Sequence, residues 1–286
     1  MEQKSTILLT GANGQLGKEI KQLESAYPEF RFIFLSREDL PIHHFELVRN
    51  FFKGYSPQFL INCAAYTAVD KAESEKDLAF QVNGEAVGVL AAVCKEYGTK
   101  FIHISTDYVF DGNGTEPYTT ESATNPQSVY GASKLQGEKE AMQYNPDSMI
   151  IRTSWVYSEF GKNFVKTMLK LMSEKEELNV VSDQIGSPTY AADLAAVIMQ
   201  VIASGKWIPG MYHFSNAGVI SWYDFALAIK ELSGKTCRVI PIPGSQYPTP
   251  AKRPAYSVMD TSRLFNSFGL TPKNWKDSLQ VCLKKL

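Results

Sequence analysis

Cysteine is scarce and scattered: Cys63, Cys94, Cys237 and Cys282 are the only four in 286 residues, and no two have metal-ligand spacing. The pattern excludes a disulfide framework and fits reduced, mostly buried thiols, to which no chemistry is assigned. Histidine is equally sparse at four, and His103, inside an apolar run, reads as structural. No cluster of Asp, Glu or His has a spacing that demands an ion. An excess of charge of one sign is also missing. With a net charge of −1 there is no general field for nucleic acid or an anionic membrane, so any anionic ligand must be held by local groups. The longest apolar run, around Leu194–Ala203, is too short to cross a bilayer, and no charged-then-apolar leader opens the chain. Together these absences predict a cytoplasmic protein that engages neither nucleic acid nor membrane.

A content of 44% hydrophobic and 21% charged residues suits a globular protein of one or two domains. Strand-like and helix-like stretches alternate along the first half. The pattern predicts strands at Thr6–Thr10, Phe30–Leu35, Phe59–Ala64 and Phe101–Ser105, with helices from about Leu16, near Phe45–Lys53 and near Asp77–Tyr97. This rhythm predicts an α/β fold, a Rossmann-like doubly wound parallel sheet with ligands at the carboxyl ends of its strands. Met149–Arg152 reads as a later strand of that sheet. Residues 1–153 are expected to form the dinucleotide-binding domain. Residues 154–286, with Pro-containing loops, two helices and aromatic clusters, form a smaller substrate-binding region. It is expected to be discontinuous, with 179–206 returning to the first domain. Ser221 precedes an apolar-periodic run and reads as a helix N-cap.

Two motifs carry chemistry. The strand ending at Thr10 runs into Gly11-Ala-Asn-Gly14-Gln-Leu-Gly17, three glycines at a strand-to-helix turn. Glycine allows a tight turn and close backbone approach, so a pyrophosphate can sit on the N–H groups of the following helix. The spacing is Gly-x-x-Gly-x-x-Gly rather than the usual Rossmann fingerprint, and a lone glycine triplet is often only a loop. The second motif is Tyr130 and Lys134, four apart inside Val129-Tyr-Gly-Ala-Ser-Lys-Leu135, which helical spacing puts on one face. A phenol with an ordinary pKa of about 10 needs a neighbouring positive charge before it exchanges protons readily near neutral pH. Lys134 is placed to supply it.

Gly11-x-x-Gly-x-x-Gly17, Asn62-Cys-Ala-Ala65, Ser105-Thr-Asp107 and Tyr130-x-x-x-Lys134 together resemble the extended short-chain dehydrogenase/reductase superfamily. Within it, Tyr66-Thr-Ala-Val-Asp-Lys-Ala-Glu73, Ser105–Gly112, Arg152-Thr-Ser-Trp-Val-Tyr157, Asp183–Thr189 and Pro248–Pro254 resemble the dTDP-4-dehydrorhamnose reductase family over nearly the whole chain. The resemblance implies hydride transfer from a reduced nicotinamide to the 4-keto group of dTDP-4-dehydrorhamnose. Tyr130 would protonate the oxygen, Lys134 would lower the phenol's pKa and bind the nicotinamide ribose, and Thr106 would donate to the ketone, with Ser105 the weaker candidate. It further implies that Asn13, Gln15 and Leu16 join the three glycines around the cofactor. Ala64, Ala65 and Tyr66 would line it, with Asn83 in support.

Cofactor choice turns on the end of the second strand, Leu35-Ser-Arg-Glu-Asp39. Ser36 and Arg37 suit a 2′-phosphate and favour NADPH, while Glu38 and Asp39 leave NADH open. Leu40-Pro41-Ile42 departs from the Leu-Asp-Ile of the family, which puts the adenine contacts in question. For the sugar nucleotide, the resemblance points to Val69, Thr106, Asp107, Tyr108, Tyr130 and Trp155, with Arg253 pairing with the pyrophosphate. Asp70, Glu73 and Asp111 read as solvated carboxylates without catalytic work. Magnesium enters only through the resemblance, and a homodimer is left open. Two rivals share the fold. A sugar-nucleotide epimerase or dehydratase would keep the Tyr/Lys pair, but related dehydratases carry Asp-Glu after Ser-Thr, where this chain has Asp107-Tyr108. A non-enzymatic dinucleotide-binding subunit, like the regulatory subunit of methionine adenosyltransferase, would not need Thr106, Tyr130 and Lys134 intact.

Overall fold

A computed structural model describes residues 4–286. In chain order the first half contains β1 (Ser5–Thr10), α1 (Gln15–Gln22), β2 (Phe30–Leu35), α2 (Phe45–Gly54), β3 (Phe59–Asn62), α3 (Val69–Ala72), α4 (Lys76–Phe80), α5 (Ala86–Glu96), β4 (Lys100–Thr106), α6 (Val129–Tyr144) and β5 (Met149–Thr153). After β5 come β6 (Val156–Tyr157), α7 (Phe164–Glu174), β7 (Glu177–Val181), β8 (Ile185–Gly186), β9 (Thr189–Tyr190), α8 (Ala191–Ala203) and β10 (Gly210–Phe214). The chain closes with β11 (Ile220–Ser221), α9 (Trp222–Ser233), β12 (Arg238–Ile242), α10 (Ser262–Phe268) and α11 (Trp275–Leu283).

Six parallel strands form the main sheet in the order β2-β1-β3-β4-β5-β10. Successive strand residues point to opposite faces, and both faces are covered, which is why the strands are apolar throughout. Ile7, Leu9, Ile61, Ile102 and Ile151 pack with Leu16 and Ile20 of α1 and Leu194 and Ile198 of α8. Leu8, Leu60, Phe101 and Ile150 pack on the other side with Val48, Phe52, Leu90 and Ala141 from α2, α5 and α6. The strand order reverses between β1 and β3, so a crevice opens there at the carboxyl ends.

The structure departs from the sequence reading in several places. The helix expected at Asp77–Tyr97 is interrupted by a wider π turn at Gln81–Glu85, which aims the buried Asn83 at the loop after β3. Lys76–Glu96 as a whole has the length and composition to cross a bilayer, yet 56% of its most apolar window is buried inside the protein. β3 stops at Asn62, leaving Cys63–Ala65 as loop. The return to the main sheet is also shifted. β7 pairs with β12 outside the sheet, whereas α8 covers it and β10 extends it to Phe214. The apolar stretch of α8 was legible, but β10, edge strand Gly-Met-Tyr-His-Phe, has no periodicity that distinguishes it from a loop.

The part of the chain outside the sheet has α7, α9 and α11 rather than two helices, built around Tyr157, Tyr190, Phe225 and Ile229. α9 begins as expected. Ser221 Oγ accepts from the Asp224 N–H at 3.0 Å, Asp224 Oδ2 accepts from the Ser221 N–H at 2.9 Å, and Gly234 at φ 68° ends the helix. The four cysteines are free thiols, and all but Cys63 are buried.

Candidate active site

The crevice is a cleft of about 880 Å³ along the carboxyl ends of β1–β5, within the range of roughly 300–1,000 Å³ usual for small-molecule sites. One wall is the glycine turn. Gly11 has φ +73°, and a Cβ on it would lie 2.5 Å from the Ala64 nitrogen; a Cβ on Gly17 would lie 2.5 Å from the Gly11 oxygen. Only glycine lets the turn, the loop after β3 and α1 approach this closely. Gly11, Asn13, Gly14, Gln15, Leu16 and Gly17 all line the cleft, as do Ala64, Ala65 and Tyr66 opposite. Asn83 fixes that opposite loop: its Oδ1 accepts from the Tyr66 N–H at 2.8 Å, and its Nδ2 donates to the Tyr66 carbonyl and Ser133 Oγ at 3.0 Å each.

Where β2 ends, Ser36 and Asp39 cap one another. Asp39 Oδ2 accepts from the Ser36 N–H at 2.9 Å, and Ser36 Oγ accepts from the amides of Glu38 and Asp39. The Asp39 carboxylate is thereby committed to the turn. Arg37 is exposed and lines the cleft, with the apolar Leu40 and Ile42 beside it.

Tyr130 and Lys134 lie one turn apart on α6, which Ser128 caps by accepting from the Gly131 N–H at 3.1 Å. Glu73 Oε1 adds a cap on the Val129 N–H at 2.9 Å. Both residues line the cleft with Thr106. Lys134 is 2% exposed; its Nζ donates to the Ile104 carbonyl at 2.7 Å and lies 3.3 Å from His103 Nε2. The expected lowering of the phenol does not follow from this arrangement. Burial pushes the Tyr130 pKa above its ordinary value; the hydrogen bond from Thr106 pulls it back in part, and the nearby Asp107 carboxylate adds to the rise. Burial brings Lys134 down to about 8.

Thr106 Oγ1 donates to Asp107 Oδ1 at 2.9 Å and accepts from the Tyr108 N–H at 3.2 Å. Asp107 is 3% exposed, its Oδ2 has no partner, and burial raises its pKa to about 6. Ser105, the weaker candidate, gives its hydroxyl to Glu138 at 2.5 Å, a carboxylate gripped by both nitrogens of a fork from Arg152 at 2.8 and 2.7 Å. This buried pair ties α6 to β5. Sequence reading missed Glu138, because a glutamate inside a polar helical stretch has no signature until its partner strand is placed.

Val69, Asp107, Tyr108 and Trp155 join the cleft; Arg253 does not line it. Its guanidinium sits just behind, donating to Asp70 Oδ2 at 2.7 Å and to the Tyr108 hydroxyl at 3.0 Å. Tyr108 in turn packs edge-on against Tyr130, ring centres 5.5 Å apart. Trp155 has φ +48°, the only positive φ at a non-glycine among the described residues, and its indole stacks on Trp222 at 3.6 Å. Such backbone conformations persist where surrounding packing enforces them, often at functional sites. The carboxylates read as solvated all have definite partners. Asp70 holds Arg253, Glu73 caps α6, and Asp111 accepts from the Tyr118 hydroxyl at 2.6 Å. Each partner is distant in sequence or on a loop, which is why charge alone suggested solvent. No group of three or more His, Cys, Asp or Glu gathers among the described residues, and no step is routed through a metal.

The sheet, its switch point and a cleft lined by both the glycine turn and the Tyr130/Lys134 pair describe a nicotinamide-dependent oxidoreductase of the short-chain dehydrogenase/reductase type. More narrowly, the chain belongs to the family described as RmlD substrate binding domain, whose model matches residues 5–286. It is 43% identical over 280 residues to the spore coat polysaccharide biosynthesis protein SpsK of Bacillus subtilis, covering 98% of this chain and 97% of that one. To the dTDP-4-dehydrorhamnose reductase of Burkholderia thailandensis it is 41% identical over 295 residues, covering 98% of each. A crystal structure of dTDP-4-dehydrorhamnose reductase from Bacillus anthracis in complex with NADP superposes with a TM-score of 0.95 at 37% identity, covering 99% of this chain and 100% of that one.

Proposed function

We propose that this chain reduces the 4-keto group of dTDP-4-dehydrorhamnose to give dTDP-L-rhamnose, with NADPH as reductant, in the cytoplasm. The observation that carries the reading is that Thr106, Tyr130 and Lys134 open into the same cleft as the glycine turn, in a chain alike over its full length to named reductases. The glycine turn suits a dinucleotide: it lines the cleft, and α1 begins there with its N–H groups. Arg37 and Ser36 would take the 2′-phosphate, and Leu40 and Ile42 would flank the adenine. When bound, NADPH supplies the hydride.

The protein's own residues then handle the oxygen. Because burial keeps the Tyr130 phenol protonated, it is a proton donor in the resting cleft rather than a phenolate. Tyr130 gives that proton to the oxygen as the carbon is reduced. Thr106 would add a second hydrogen bond to the same oxygen, where negative charge develops. Lys134 holds the ribose and the proton supply of Tyr130. Trp155 offers a flat wall to the sugar, with Val69, Asp107 and Tyr108 around it. Arg253 would leave Asp70 to meet the diphosphate. Elimination of water is served less well, since Tyr108 stands where a dehydratase carries its second carboxylate; epimerisation is disfavoured less strongly.

The test is to incubate the purified protein with dTDP-4-dehydrorhamnose and NADPH or NADH and follow absorbance at the reduced-nicotinamide band together with product. Ketone-dependent oxidation, one cofactor per sugar reduced, is expected. Cofactor binding with no such oxidation would leave a binding subunit, and loss of water or inversion without net oxidation would mean a different reaction.

A further inference from the structure

We infer that His103, held in a single tautomer by Asn62, is a positioning residue that lowers the proton affinity of Lys134. Donors and acceptors along a buried chain from β1 to α6 pair in only one way. Asn62 Oδ1 receives the Thr10 hydroxyl at 2.7 Å and the Ala64 N–H at 3.2 Å. A backbone N–H can only donate, so the oxygen of the amide must be on that side and its Nδ2 must face His103. Nδ2 lies 3.0 Å from His103 Nδ1. The amide nitrogen accepts nothing, so Nδ1 carries the lone pair, and the hydrogen of a neutral ring is on Nε2.

That hydrogen points at Lys134 Nζ, 3.3 Å away. An ammonium has three donors and no acceptor, and would set N–H against N–H. A neutral amine has a lone pair for the His103 N–H, and still donates to the Ile104 carbonyl. A hydrogen bond made only by the neutral form stabilises it, so His103 favours loss of the Lys134 proton. The ring cannot escape by charging, because a hydrogen on Nδ1 would then be set against the N–H of the Asn62 amide. Its complete burial and the nearby lysine push its pKa far down as well.

Other groups face Lys134 from each side. Cys63, in the loop after β3, is part-exposed as a residue, but loss of solvent around its sulfur keeps the thiol neutral, its pKa about 12. Glu138, on the next turn of α6, draws Lys134 towards the charged form but is itself gripped by Arg152. Tyr130 is a neutral phenol on the preceding turn. Burial acts in the same direction as the His103 N–H and brings Lys134 down to about 8. His103 therefore has a task beyond filling the core. The consequence for turnover rests on the function proposed above, whereas the proton arrangement can be read without it.

The test uses ligand-free, full-length protein. Long-range 15N NMR is expected to find His103 protonated on Nε2 alone, and 13Cε titration is expected to place Lys134 below the ordinary lysine range. Asn62→Asp should move the ring hydrogen to Nδ1. His103→Leu, which adds no charge, should raise the Lys134 midpoint by about one unit. An Nδ1-protonated or doubly protonated ring in the unaltered protein would overturn the inference, as would an unmoved or lowered lysine midpoint in folded His103→Leu. If neither variant folds, the tautomer in the unaltered protein decides alone. Absence of ketone reduction would sink the proposed reaction and leave these readings intact.

Discussion

The two walls of the cleft are made of different material. On the side of the glycine turn the surface is largely main chain and small residues, Gly11, Gly14, Gly17, Ala64 and Ala65, packed where no further atom fits. On the side of Tyr108 and Trp155 it is side chains bonded to one another or to residues behind them: Thr106 to Asp107, Tyr108 to Arg253, which also holds Asp70, and Trp155 on Trp222. A diphosphate on the first wall would meet N–H groups that are preorganised and cost little to use. A sugar nucleotide on the second must exchange its own groups for contacts the protein now makes with itself. The first wall should therefore be intolerant of added atoms, and the second adjustable through its internal partners.

The sharpest separation comes from Tyr130→Phe, which keeps the ring against Tyr108 and removes the proton. Turnover should fall by about 10²–10⁴-fold, the usual contribution of a positioned general acid, while NADPH affinity by titration calorimetry stays nearly unchanged. Full turnover in this variant would remove the proposed acid. Gly11→Ala should come next and act on the other wall. A left-handed backbone costs an L-residue about 1–2 kcal/mol, and the 2.5 Å approach to the Ala64 nitrogen forces main chain to move as well. Each kcal/mol lowers the melting temperature of a protein this size by about 2–4 °C. NADPH affinity should drop tenfold or more; unchanged melting and affinity would mean that the turn is not the rigid wall described.

The difference between the walls also decides what could be read from sequence. Glycines are informative because only a few backbone conformations need them, so Gly11, Gly14 and Gly17 after a strand announce a tight turn, and Tyr130 with Lys134 adds the ligand. The strands of the main sheet are marked by unbroken apolar runs. Tyr130 and Lys134 were legible because helical spacing alone puts them on one face. Their electrostatics were not. The lysine's amine belongs to Ile104 and His103, two residues whose β4 positions relative to α6 appear only in three dimensions. Likewise Asp70, Glu73 and Asp111 looked like solvated charge, because each partner is distant along the chain or lies on a loop. A short edge strand such as β10 carries too few residues for its period to register.

Arg37→Ala probes the outer end of the main-chain wall, where recognition passes from N–H groups to one exposed side chain. Losing a charge-assisted hydrogen bond costs about 1.5–3 kcal/mol, so NADPH affinity should weaken about tenfold or more while NADH affinity hardly moves. Equal losses for both would reject 2′-phosphate recognition by Arg37, since Asp39 is already committed to Ser36.

The smallest effect should come from Asp70→Asn, and it goes in the opposite direction. Asp70 holds Arg253 through Oδ2 at 2.7 Å and touches the Ala251 N–H through Oδ1 at 3.3 Å, so it imitates from within what an anionic ligand would offer. The pair is part-exposed, with side chains 26% and 41% accessible, and solvent screening limits such pairs to about 0.2–1 kcal/mol. An amide keeps the shape and removes the competing charge. If Arg253 must leave Asp70 to meet a diphosphate, dTDP should bind up to about fivefold more tightly to the variant, measured by calorimetry. If Asp70 instead braces Arg253 in its working position, the same change should weaken dTDP. The sign of this small shift tells whether the side-chain wall is closed against its ligand by its own pairs or already set to receive it.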